Sequence, residues 1–303
     1  LSDTGNVFIS SGMLFPPSPP YDNGRFSNGP VWAEVLASGL GLPVLTPSLL
    51  GGTNYAWGGA ETGFGPSARG TPNIGEQINF YLGGGNIPSS DELFVMWAGA
   101  NDFNNAPPGT DLSGLIPGIV NNISNHITTI SSAAPGTELD FLVLNLPPLG
   151  QTPRVQFFSQ LLGDPTLPFA FDSLSMIFNS VLSAELQNLE TSPEINIFTL
   201  DIFSLSLQIF ANPTAFGFTN TTDTARIGIN PVSGGPLDVS TPGTDVVPNP
   251  EAYIFFDDIH PTTAWHSIVG NKAVEAVPEP TTLLLVAFGL IGLVGFRWKF
   301  KKK

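Results

Sequence analysis

Short apolar runs bounded by Gly, Pro or Asp recur along the chain: Leu93-Phe-Val-Met-Trp-Ala, Leu139-Asp-Phe-Leu-Val-Leu, Ile195-Asn-Ile-Phe-Thr-Leu and Ala252-Tyr-Ile-Phe-Phe. Runs this short, with little polar alternation, predict strands buried on both faces. Between them the period changes. Ile116, Ile119, Val120, Ile123, Ile127 and Ile130 fall on one helical stripe, as do Leu174, Ile177, Phe178, Val181, Leu182 and Leu189, with Asp172 expected to cap the second helix. Residues 262–276 predict a last helix. Strands alternating with helices predict an α/β domain with a doubly wound, mainly parallel sheet and helices on both faces. Sites in such sheets lie outside the carboxyl ends of the strands. The Gly/Pro/Asn-rich stretches 16–29, 58–75 and 212–250 exceed ordinary loop lengths, and some are expected to wall a cleft.

The two ends of the chain differ from this pattern. From Thr281 to Phe296 the sequence carries no charge, and it then closes on Arg-Trp-Lys-Phe-Lys-Lys-Lys. Sixteen helical residues reach about 24 Å, just enough to span a bilayer core with Trp298 and Phe300 at the interface. By the positive-inside rule the basic end stays cytoplasmic and everything before Pro278 faces outward. Val277-Pro-Glu-Pro, the apolar span and the basic end together resemble the PEP-CTERM sorting signal of Gram-negative bacteria. That resemblance implies a transient inner-membrane anchor over 281–296, removed by a sorting protease of the exosortase type, and a protein exported to the cell surface or beyond. The organisation expected is a domain over 1–276 and a sorting signal over 277–303. Leu1-Ser-Asp-Thr-Gly-Asn has neither the charged start nor the apolar stretch of a signal peptide, so the chain is read as a fragment or a processed form.

Composition narrows the chemistry. There is no Cys among the 303 residues, which excludes disulfide scaffolds, thiolate metal sites and cysteine nucleophiles. With five of the ten basic residues in the last seven positions, residues 1–280 carry 25 acids against five bases and would repel nucleic acid. Among three histidines, His260 follows an apolar strand in Phe255-Phe-Asp-Asp-Ile-His-Pro-Thr. Asp257, three residues earlier on the turn, can accept its Nδ1–H and leave Nε2 free to take a proton from a hydroxyl. A His-Pro turn beside a solvated acidic pair is the alternative. His126, beside the isoleucine stripe, and His266, on the last helix, read as structural. A metal set of Asp257, Asp258, His260 and His266 matches no known spacing. Asn101, in Trp97-Ala-Gly-Ala-Asn-Asp-Phe, can aim an amide at a developing oxyanion, and the Gly58-Gly59 pair in Asn54-Tyr-Ala-Trp-Gly-Gly-Ala can offer a backbone N–H.

In this order these segments resemble the SGNH or GDSL family of acyl-ester hydrolases, over nearly the whole chain up to about Lys272. Leu1-Ser-Asp-Thr-Gly-Asn matches the family's first block, Gly-Asp-Ser-Leu-Ser-Asp-Thr-Gly-Asn, from its fourth position. Asn54 to Ala60, Gly99-Ala-Asn-Asp and Asp257-x-x-His-Pro-Thr match the later blocks. Asn145-Leu-Pro-Pro-Leu-Gly-Gln-Thr-Pro and Asn212-Pro-Thr-Ala-Phe-Gly-Phe resemble stretches of its lipase-like branch. The resemblance implies His260 as general base, Asp257 as its orienting acid, and Gly59 (or Gly58) with Asn101 as the oxyanion hole. It places the nucleophilic serine immediately before Leu1, outside this chain, with Ser2 pointing elsewhere. The first, central strand is then expected to be missing, and the chain alone to be inactive. The implied activity is an exported serine esterase or lipase acting on lipid, short acyl or acetylated glycan esters, without metal or cofactor. The rival readings are a non-catalytic surface or biofilm-matrix protein on the same fold and a polysaccharide O-acetyl esterase.

Overall fold

In a computed structural model, described for residues 1–227 and 246–277, the elements run in the order α1 (Asn6–Ser10), α2 (Trp32–Gly39), α3 (Ile74–Gly83), β1 (Leu93–Trp97), α4 (Ala100–Asn104), α5 (Leu112–Ser132) and β2 (Leu139–Leu144). They continue with α6 (Pro153–Leu162), α7 (Leu167–Leu189), β3 (Ile195–Leu200), α8 (Ile202–Ala211), β4 (Asn220–Thr224), β5 (Tyr253–Phe255) and α9 (Thr263–Ala276). The expected span 281–296 and the basic end lie outside the described residues.

Strands β1, β2 and β3 form a parallel sheet in that spatial order, with Leu93 opposite Asp140 and Leu139 opposite Ile195. Successive side chains of β2 alternate between two cores, as the pleat requires. Leu139, Phe141 and Val143 pack with Ile119, Ile123 and Ile127 of α5 and with Phe178 and Leu182 of α7. Leu142 and Leu144 pack on the other face with Trp32 of α2, Ile202 and Leu205 of α8, and Trp265 and Val269 of α9. Helices therefore cover both faces, and the uninterrupted apolar run of β2 is the sequence trace of that double burial. Among the described residues, no strand pairs with the outer edge of β1.

Three expectations are corrected in detail. The segment expected as a fourth strand forms β5, but it pairs with β4 in a separate two-stranded parallel ladder. Asp172 does not cap α7. That helix starts earlier, after Thr166, with Pro168 in its first turn, where a fixed φ and a missing N–H cost nothing. The Asp172 carboxylate instead accepts from Gly150 N at 2.8 Å and Gln151 Nε2 at 2.7 Å, tying α7 to the loop after β2. Within the α7 stripe, Leu174, Phe178, Leu182 and Leu186 are buried, whereas Ile177 and Val181 face outward.

The loops that follow β1, β2 and β5 converge at one end of the sheet. Asn145, the residue after β2, holds this end together. Its carbonyl accepts from Trp97 Nε1 at 3.0 Å and its side-chain oxygen accepts from Ile202 N at 2.7 Å, so the ends of β1 and β2 and the start of α8 are locked to one residue.

Candidate active site

His260 stands on the turn between β5 and α9. The turn is closed by backbone bonds, with Phe256 N donating to His260 O at 2.7 Å and Thr262 N to Ile254 O at 2.9 Å. It wraps around the Asp257 carboxylate. Oδ1 accepts from Ile259 N at 2.9 Å and His260 N at 2.6 Å, and Oδ2 lies 2.7 Å from His260 Nδ1. Burial alone would push the Asp257 carboxyl up. The facing imidazole and these donors outweigh it and hold the acid well below the usual carboxylate range. An ionised Asp257 keeps a proton on Nδ1 and leaves Nε2 as the free basic nitrogen.

Asp258, the neighbouring acid, turns away. It accepts from Arg154 Nε at 2.6 Å, and its carbonyl accepts from Arg154 N at 3.0 Å, fastening α6 to the histidine loop.

Opposite His260 lies the second half of the site. Gly99, at φ 108°, leads from β1 into α4; a Cβ there would meet the Phe178 ring at 2.8 Å, so only glycine fits. The turn sets Asn101 and Asp102 over the glycine loop. Asp102 accepts from Thr62 N at 3.1 Å and Thr62 Oγ1 at 2.6 Å, while Asn101 Nδ2 donates to Ala60 O at 2.8 Å. The second Asn101 amide hydrogen has no partner among the described residues. The glycine pair is also told apart. Gly58 N donates to Asp3 Oδ2 at 2.9 Å, whereas Gly59, at φ 79°, carries an N–H without a partner among the described residues.

The first six residues brace this loop. Buried Asp3 accepts from Gly5 N and Asn6 N, both at 2.7 Å, and Asn6 Nδ2 donates to Asn54 O at 2.8 Å and Ala56 O at 3.0 Å. Ser2 looks inward, its hydroxyl accepting from Trp32 Nε1 at 3.1 Å. Leu1, Gly59, Asn101 and His260 all line one cleft of about 1130 Å³, solvent-open space included. Its other walls are mostly apolar and include Leu146, Leu149, Val155, Phe171, Phe210 and Ile259.

The remaining histidines lie elsewhere. His126 Nε2 is 2.6 Å from Thr62 O beneath the glycine loop, and burial lowers its pKa. His266 is fully buried, its Nδ1 accepts from Trp32 N at 3.3 Å, and burial holds its pKa well below the ordinary value. Among the described residues, no cluster of His, Asp and Glu is arranged to hold a metal ion.

Two aromatic residues of the loop 16–29 were not singled out by their sequence. Phe26 lies over the His260 ring with centroids 5.1 Å apart, and the Tyr21 hydroxyl donates to Asp257 Oδ2 at 2.6 Å. The only signal was the unusual length of their loop.

Residues 1–273 match the family GDSL-like Lipase/Acylhydrolase, and residues 276–302 match the PEP-CTERM protein-sorting motif. A phosphatidylcholine-sterol acyltransferase of Aeromonas hydrophila is 25% identical over 91% of this chain and 87% of its own length. A thermolabile hemolysin of Vibrio parahaemolyticus is 27% identical over 91% of this chain, which spans 61% of that protein. A GDSL esterase/lipase of Arabidopsis thaliana is 26% identical over 87% of this chain and 79% of its own length.

Proposed function

The chain belongs to the GDSL-like lipase/acylhydrolase family, and from that premise we propose that the complete protein is an exported serine ester hydrolase working through a covalent acyl-enzyme. The observation that carries the reading is the Asp257–His260 pair, 2.7 Å apart, on the rim of a cleft that Gly59 and Asn101 also line, the Gly59 N–H and the second Asn101 amide hydrogen being without partners among the described residues. The nucleophile is the serine that the family's first block puts immediately before Leu1, and Leu1 itself lines the cleft beside His260.

The serine oxygen attacks the ester carbonyl while His260 Nε2 takes its proton. The Asp257 carboxylate stabilises the imidazolium, and the Gly59 N–H with the free Asn101 amide hydrogen binds the oxyanion. Collapse of the tetrahedral adduct returns the proton to the leaving alcohol. Water, deprotonated by the same nitrogen, then releases the acid. Another alcohol in place of water would give acyl transfer at the same site.

The apolar wall of Leu146, Leu149, Val155, Phe171 and Phe210 favours an acyl chain over an acetylated glycan. The sorting motif at 276–302 supports export, with a transient membrane anchor cleaved by an exosortase-type protease. The test uses protein produced with the residues encoded ahead of Leu1, assayed on p-nitrophenyl acetate, butyrate and octanoate. Turnover that rises from acetate to the longer esters is expected. Preference for acetate would favour the polysaccharide O-acetyl esterase, and no turnover by folded protein would favour a non-catalytic surface protein.

A further inference from the structure

The Asp257 carboxylate has more partners than the histidine loop supplies. Beside two backbone N–H groups on Oδ1, its Oδ2 is shared by His260 Nδ1 at 2.7 Å and the Tyr21 hydroxyl at 2.6 Å, which comes from the other end of the chain. Tyr21 is itself fixed. Its ring sits edge-on to Phe256 at 5.2 Å, the Arg226 guanidinium lies 5.2 Å from the ring centroid, and Arg226 Nη1 donates to the hydroxyl oxygen at 3.3 Å. Tyr21 and Arg226 are each only 5% exposed. A buried phenol needs a hydrogen-bond acceptor, but any carbonyl would serve. Here the acceptor is the oxygen that orients the imidazole.

Resting on the assignment of His260 as base and Asp257 as its partner, we infer that Tyr21, held by Arg226, is a positioning residue that draws charge from Asp257 and thereby keeps the His260 imidazole from becoming too basic. A phenol donating to Oδ2 spreads the carboxylate's charge, and a cation on the phenol oxygen strengthens that donation. Both weaken the carboxylate's hold on an imidazolium. Burial and the Asp257 charge push the Tyr21 hydroxyl well above its ordinary value, so it stays a donor throughout the working range.

The other charged groups around the pair leave this effect standing. Asp258 is neutralised by Arg154 of α6, Asp3 is spent on backbone N–H groups, and His266 of α9 is held neutral by burial.

The test is a ¹⁵N NMR titration of the His260 imidazole in the wild type, Tyr21→Phe and Arg226→Gln, alongside kcat and KM against pH for the protein carrying the residues encoded ahead of Leu1. Tyr21→Phe keeps the ring and is expected to raise the His260 midpoint by about half to one pH unit. The acid limb of kcat/KM should move up with it, so that kcat/KM falls about three- to tenfold below the midpoint while the alkaline plateau stays near the wild type. Arg226→Gln should act with the same sign and a smaller shift. An unmoved His260 midpoint in folded Tyr21→Phe, or a midpoint that falls, overturns the inference. A midpoint that rises in a protein without any ester turnover upholds the coupling and overturns the catalytic reading alone.

Discussion

His260 and His266 lie on one stretch of chain, yet the fold gives them opposite chemistries. His260 sits on the turn beyond β5 with its side chain 21% exposed, an ionised aspartate on one nitrogen and the cleft beside it. His266 sits one turn into α9, fully buried among Trp32, Trp265 and Val269, and burial keeps it uncharged. Residue type is identical; what differs is whether the imidazole is given a counter-charge and an open side. A buried imidazole with neither is a packing residue that penalises its own protonation. The turn after the strand supplies both, which is why the proposed chemistry gathers there and not one helical turn later.

The largest expected effect separates the two directly. His260→Ala should lower kcat/KM by about 10⁴-fold on p-nitrophenyl esters while shifting the melting temperature by no more than a few degrees, because the Asp257 carboxylate keeps Tyr21 and two backbone donors. Asn101→Ala, on the facing wall, should cost about 10²–10³ in kcat with KM little changed, measured with the same esters. His266→Ala should invert the pattern. Removing a fully buried ring and the acceptor of Trp32 N–H is expected to cost about 2–3 kcal/mol in urea unfolding. Its turnover per folded molecule should stay near wild type.

The smallest effect is in pH. A base whose folded pKa lies below its unfolded value of about 6.5 binds fewer protons when folded, so its contribution is present above that pH and lost as the pH falls. Stability should therefore drop below pH 6.5 by at most about 1.4 kcal/mol per unit, and His266→Gln should flatten that slope. Asp257 acts lower. Its folded pKa is depressed, so its contribution holds above about pH 4 and fades only in stronger acid.

These differences were unequally visible in the amino-acid sequence. The three strands of the parallel sheet could be read because side chains of each reach both cores, β2 most completely, leaving nearly continuous apolar runs even though Val95 of β1 is exposed. Asp257 and His260 could be paired because their contact is local and their spacing is that of a turn. Long-range partners left no such trace. Asp3 takes the Gly58 N–H and so distinguishes Gly58 from Gly59, but nothing near either residue announces it. Tyr21 reaches Asp257 across most of the chain, and its loop shows only unusual length. Asp172 looked like a helix cap because it precedes an apolar stripe; its true partners lie on the loop after β2, a contact with no periodicity. Local patterns thus marked where the candidate site lies, while packing between distant segments decides which atom of each pair is left open to the cleft.

Acylation of a serine with His260 as its base can be read by fluorophosphonate labelling of protein produced with the residues encoded ahead of Leu1, mapped by peptide mass spectrometry. A single adduct is expected on a serine immediately before Leu1, lost in His260→Ala. An adduct on Ser2, labelling undiminished in His260→Ala, or no adduct on the folded protein would contradict it.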